Sequence, residues 1–199
     1  MSTKLLEEAL TELVEKIYKK VLKEKSVQCK INQVMIREES NQTFVSFLLE
    51  LNKERYNIEG VGAGFVDAIV TSIFKTLKHQ YISLFDFYFS DFYIKANFGS
   101  HVNKVRTDVP VVVKLCISNA RENKFYFEGT SLSVVSATTK TVEKMLNFLI
   151  NCEEAVKCLN RVVIDAQKRR RLDLVDDSVA LLADLVKIND YSKLMKEEK

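Results

Sequence analysis

The sequence predicts an α+β fold: two pseudo-symmetric β-β-β-α units with antiparallel sheets, plus an N-terminal and a C-terminal helix. Two observations carry this expectation. Gly60, Gly62 and Gly64 stand where a strand-like run, Arg55 to Ile58, gives way to a helical period in Phe65, Val66, Ile69, Val70, Ile73, Phe74 and Leu77. The pattern of Arg55-Tyr56-Asn57-Ile58-Glu59-Gly60 then recurs 69 positions later in Lys124-Phe125-Tyr126-Phe127-Glu128-Gly129, again followed by a helical period in Val142, Met145, Leu146, Leu149 and Ile150. Four of the five glycines thus mark two equivalent strand-to-helix junctions, the sign of an internal duplication.

Taken in order, residues 1–25 form an amphipathic helix with Leu6, Leu10, Leu13, Val14, Ile17, Tyr18 and Val21 on one face. Residues 26–160 are the central domain, with units at 26–80 and 81–160. In the first unit, Gln28 to Glu38 and Gln42 to Asn52 read as strands, the second alternating cleanly through Val45, Phe47, Leu49 and Leu51. Arg55 to Ile58 is a short third strand, and a helix runs from Phe65 to about Lys78. The second unit opens at Leu84. Phe85, Phe87 and Phe89 alternate, and Phe92, Ile94 and Ala96 continue out of phase, which predicts a bulge or bend at Ser90-Asp91. Asn97 to Asp108 is a polar loop. Val109 to Ile117 and Lys124 to Glu128 are the remaining strands, and a helix from about Val134 runs through Cys158, towards Ala166. Residues 161–199 are a helical tail, with Val175, Val179, Leu182, Leu185 and Val186 at helical spacing and frayed residues from Lys193 on.

Composition narrows the function. A chain of 199 residues is one domain with helical appendages, and its apolar and charged fractions are those of a globular protein. No apolar run is long enough to span a membrane, and Met1 to Leu5 lead into Glu7 and Glu8, so neither a transmembrane helix nor a signal peptide is expected. The chain reads as cytoplasmic. Cys29, Cys116, Cys152 and Cys158 lack metal-ligand spacing, and with only His79 and His101 beside them no metal site, cofactor or catalytic triad is expected. A Rossmann site fails because Phe65 stands where glycine is needed, and no Gly-Lys-Ser/Thr marks a P-loop. The net charge of +3 is too small to point to nucleic acid as a partner. The aromatic run Phe85 to Tyr93 reads as a strand packed on both faces, by a helix and by a partner.

What remains is the pair of junctions. Glycines before a helix leave its first N–H groups open to an anion or carboxylate. Asp67 and Asp86 are candidates for an ammonium group or for helix capping. Lys168-Arg169-Arg170-Arg171 is either a contact for phosphate or an acidic partner or a helix C-terminus that complements the dipole.

Over about residues 26–160 the chain resembles the C-terminal regulatory, dimerisation domain of α-isopropylmalate synthase and citramalate synthase. The family's first junction, approximately G-x-G-P-V-D-A, is similar to Gly62-Ala63-Gly64-Phe65-Val66-Asp67-Ala68, and its Leu-x-Asp-Tyr strand start to Leu84-Phe85-Asp86-Phe87-Tyr88. Val111-Val112-Val113-Lys114-Leu115 is similar to a later valine-rich strand. The second junction, roughly G-x-S-x-D-I-I-x-A-S, resembles Gly129-Thr130-Ser131-Leu132-Ser133-Val134-Val135-Ser136-Ala137. Two positions depart: Ser133 stands for the usual aspartate and Phe65 for a common proline. No barrel-like strand-helix series and no His-x-His precede residue 26, so no condensation chemistry is expected. The resemblance implies a non-catalytic homodimer that senses leucine or isoleucine and acts on a partner synthase. The residues it implicates are Gly60, Gly62, Ala63, Gly64, Asp67, Ala68, Gly129, Ser131, Ser133 and Ala137. The alternative is a ligand-free scaffold that binds another macromolecule through its terminal helices and basic run.

Overall fold

Strands form where the period-two runs lie, and helices where the apolar spacing turns to three and four. In the computed structural model, which describes residues 3–96, 109–192 and 194, helix α1 (Thr3–Leu22) precedes β1 (Cys29–Glu39), β2 (Gln42–Leu51), β3 (Glu54–Gly62) and α2 (Phe65–Leu77). A short 3-10 turn at Ile82–Asp86 leads into β4 (Phe87–Ala96), β5 (Val111–Asn119), β6 (Lys124–Ser131), α3 (Val134–Lys168) and α4 (Leu172–Leu185). The strands make two three-stranded antiparallel sheets, ordered β1-β2-β3 and β4-β5-β6. The expected α+β architecture of two β-β-β-α units with terminal helices is the observed one.

The duplication extends to the packing. Gly60 pairs with Val45 in the first sheet and Gly129 with Val113 in the second. A Cβ on Gly60 would lie 2.6 Å from Ser72 Cβ and 2.8 Å from the Ala68 carbonyl oxygen; one on Gly129 would lie 2.5 Å from both Ala137 O and Thr141 Oγ1. Gly129, Ala137 and Thr141 each follow Gly60, Ala68 and Ser72 by the same 69 positions. The first strand of each sheet also bulges, β1 between Asn32 and Met35 and β4 between Phe89 and Asp91, the latter at the position the phase slip predicts.

Several boundaries differ from expectation. β3 runs on to Gly62, because its partner β2 extends to Thr43 opposite that glycine; Gly60 and Gly62 are strand residues. Phe85 lies in the 3-10 turn, where its ring meets Phe74 edge-on at 6.4 Å. In β4 only Phe87 is buried; Tyr88, Phe89, Phe92, Tyr93 and Ile94 are exposed on both faces, since no described element covers the strand as the sequence suggested. The loop 97–108 and the frayed end at 193 and 195–199 lie outside the described residues.

One core joins the two units. Helix α3 lies at its centre: Phe148 packs against Phe125, Phe127 and Tyr18 at ring distances of 5.6, 5.5 and 6.3 Å. Its polar residues are aimed as well. Glu143, Asn147 and Asn151 accept hydrogen bonds from the backbone N–H groups of Ile31, Cys29 and Val27, each at 2.7 Å. Buried Glu153 accepts the Ser83 N–H at 3.0 Å and the Ser83 hydroxyl, and pairs with Lys157 at 2.9 Å, which meets the rule that a buried charge needs partners. The basic run closes α3. Arg170 takes a φ of 57°, Arg170 N–H bonds Gln167 O and Arg171 N–H bonds Ala166 O, a Schellman ending. Arg169 and Arg171 pair with Asp165 and Asp173 at 3.0 and 2.8 Å. The β5–β6 turn then caps the far end of α4, with Arg121 and Asn123 donating to the carbonyls of Val186 and Lys187 at 3.1 and 3.0 Å.

Two outcomes follow from the polar contacts of α3. Asn151→Ala strands the buried Val27 N–H and costs about 1–3 kcal/mol in urea unfolding. Burial raises the Glu143 carboxyl above its ordinary value, against the opposing bond from Ile31 N–H and the charges of Lys30 and Lys140. The folded chain therefore holds this proton to higher pH than the unfolded chain, and stability falls as pH rises from the ordinary glutamate range through the raised value. Glu143→Gln keeps an acceptor and removes that slope, which unfolding curves collected across this pH range will show.

Candidate functional site

The glycines of the two junctions do different things. Gly60 and Gly129 let α2 and α3 close onto the last strand of each sheet, β3 and β6, at the buried residues Ala68 and Ala137. Gly62 is held as tightly, since a Cβ there would meet Ala68 N at 2.5 Å and Asp67 Oδ2 at 2.6 Å. Gly64, the residue that caps α2, has extended backbone (φ −161°) and nothing within 4 Å of a Cβ built on it. Its side of the corner faces open space.

Asp67 organises this corner. Its Oδ2 accepts the Ala63 N–H at 2.9 Å and its Oδ1 the Thr71 hydroxyl at 3.1 Å, a carboxylate in the first turn reaching back as in a capping box. At the second corner Ser136 stands in the place of Asp67, and the Ser133 hydroxyl caps α3 by accepting the Ser136 N–H at 3.5 Å. Ser131 ends β6 opposite Val111. Asp86, in the 3-10 turn before β4 and not among the residues lining the groove at the corners, accepts from Asn189 Nδ2 at 2.9 Å.

The two corners converge on one groove of about 500 Å³. Gly64, Phe65, Val66 and Asp67 form one wall, and Val134 and Thr138 of α3 the other. The floor is Phe89, Phe92 and Ile94 of β4. Of the residues implicated by sequence, Gly64 and Asp67 line the groove, Ser133 adjoins it through Val134, and Ala68 and Ala137 lie beneath the glycines. Gly60 lines a different groove, of about 710 Å³, beside Met35, Ile36, Val61 and Ser72.

Polar satisfaction separates the two grooves. In the larger, the hydroxyls of Thr71, Ser72 and Thr76 each donate to another residue of α2. In the smaller, Thr138 is 1% exposed, and its hydroxyl has no hydrogen-bond partner among the described residues. A buried hydroxyl left without a partner costs about 1–3 kcal/mol, and this one belongs to a residue lining a groove whose other members, Gly64 and Asp67 apart, are apolar. Sequence reading missed Thr138 and the three floor residues. The period-two run of β4 was the available signal for the floor, whereas Thr138 carries none, because its counterpart in the first unit is Ile69, a core residue. The four cysteines are free, and burial pushes the Cys29 thiol up to about 12, so it is an unreactive packing group.

Substitution at the glycines separates the packing corners from the open one. Gly64→Ala changes stability by less than about 0.5 kcal/mol, while Gly129→Ala, with nowhere for its methyl group, loses about 1–3 kcal/mol. Paired urea titrations measure both.

The model of the LeuA allosteric (dimerisation) domain matches residues 4–150, taking in α1, both sheets, α2 and the first half of α3. No curated protein matches the chain. Among the described residues no helix is long and apolar enough to cross a membrane. With two β-β-β-α units, their paired glycine corners and a match over most of its length, the chain belongs to the LeuA allosteric (dimerisation) domain family.

Proposed function

We propose that this chain is a non-catalytic, homodimeric regulatory protein that takes a small branched amino acid, leucine or isoleucine, into the groove between the two corners. The observation that carries the reading is the groove where the two corners meet, whose lining includes the buried Thr138, a residue whose hydroxyl has no partner among the described residues. Ligand pockets combine mostly apolar walls with a few placed polar groups. Here Phe89, Phe92 and Ile94 suit an aliphatic side chain, and the Thr138 hydroxyl suits a polar end group of the ligand. The open start of α2 beside Gly64 suits a carboxylate, and Asp67 lies within the same wall for an ammonium group. Ser133 in place of an aspartate leaves the second corner less acidic than the family pattern. A synthase is the partner on which such a domain acts, and four free cysteines suit a reducing cytoplasm.

Thr138→Val tests the reading without confusing binding with folding. Removing an unpaired buried hydroxyl at constant volume leaves the free protein equally stable or more stable. In the wild type, millimolar leucine or isoleucine raises the melting temperature; in the variant that rise is lost. If none of the twenty amino acids shifts the wild-type melting temperature, the ligand reading fails. Light scattering checks the dimer, which is expected at twice the chain mass at micromolar concentration.

A further inference from the structure

Residues 27–31, at and before the start of β1, do not lie bare, because Glu143, Asn147 and Asn151 of α3 cover their N–H groups. The duplicated unit lacks this device. Moving 69 positions back from those three residues reaches Phe74, Lys78 and Ile82, and α2 has ended at Leu77. β4 therefore pairs with β5 on one side and with no described strand on the other. Past its bulge it exposes Phe92, Tyr93 and Ile94 by 39, 51 and 44%. An exposed, apolar edge strand is a template for pairing with another chain.

The charges along this edge are placed evenly about one residue. Asp91, Tyr93 and Lys95 lie opposite Cys116, Lys114 and Val112 on one face, and Phe92 and Ile94 lie opposite Leu115 and Val113 on the other, the floor of the groove. Resting on the homodimer reading, we propose that β4 pairs antiparallel with the partner's β4 about a two-fold axis through Tyr93. In that register Tyr93 faces the partner's Tyr93, and Asp91 faces the partner's Lys95 twice over. Centring on Asp91 or on Lys95 instead would set like charges opposite each other, which disfavours those registers. Phe92 then faces the partner's Ile94 on the groove side, so the partner chain continues the floor of the candidate site. The Asp91 carboxylate, which now accepts the Phe92 N–H at 2.8 Å, turns to the partner's Lys95, and that N–H passes to the partner's Ile94 carbonyl. Two three-stranded sheets become one of six strands.

Sedimentation of the full chain with charge-reversed variants tests the register. Asp91→Lys and Lys95→Asp each place two like-charged pairs across the axis and weaken the dimer roughly tenfold; together they restore it to within about twofold. Tyr93→Cys provides a second measurement, because cysteines directly opposed on antiparallel strands are close enough to bond. Mild oxidation of that variant gives a covalent dimer, while the wild-type chain, with three of its cysteines buried, gives none. If the wild type is dimeric but the reversals have no effect and the Tyr93→Cys variant does not cross-link, the interface lies elsewhere; this proposal falls and the homodimer reading stands. If the wild type is monomeric, both fall.

Discussion

Helix α3 and the stretch from Val27 to Ile31 that opens β1 are matched in pitch. Side chains four positions apart on a helix are separated by about 6 Å along its axis, and alternate N–H groups of a strand by nearly 7 Å. Glu143, Asn147 and Asn151 can therefore meet Ile31, Cys29 and Val27 in succession, each at 2.7 Å. Asn151 also returns a bond to the Val27 carbonyl at 2.9 Å. This contact ties the second unit's helix to the first unit's outermost strand. It makes one core from two repeats, and it removes the start of that edge as a site of chance association.

The duplication is most faithful where packing demands it and least faithful where function is proposed. Gly60 with Ala68 and Ser72, and Gly129 with Ala137 and Thr141, are two solutions of one problem, how to bring a helix backbone close onto the strand that precedes it. There the repeats correspond position by position. They part at the corners and at the edges. Gly64 is matched by Ser133, Asp67 by Ser136, and Ile69 by Thr138, whose hydroxyl has no partner among the described residues. Helix α2 stops at Leu77 while α3 continues to Lys168, which closes the opening of β1, and β4 has no described strand along its outer edge. A perfect repeat would have treated both edges and both corners alike. The groove and the open strand exist because the two copies diverged.

The residues beyond the family match complete the support. The far half of α3, its Schellman ending at the basic run, and α4 fold back so that Leu182, Leu185, Ile188 and Tyr191 join the same core. Arg169 and Arg171, whose charge stands out in the sequence, are engaged with neighbouring aspartates within this hairpin of helices.

Period and spacing by themselves determined the order of the elements, the α+β class, the two-fold repeat, the start of α2 at Phe65 and the bulge near Ser90. Each of these is set by residues within a few positions of one another. Local pattern was too short-sighted for the end of β3, since its extension to Gly62 depends on pairing with Thr43 across a hairpin. It likewise placed the glycines of each corner in one class, although only Gly64 opens onto space. That the two corners meet over β4, and that among the described residues Thr138 has no partner and β4 no second strand, were decided by tertiary structure alone. These features arise from contacts between segments tens of residues apart, and periodicity records which face of an element is buried but not what lies against it.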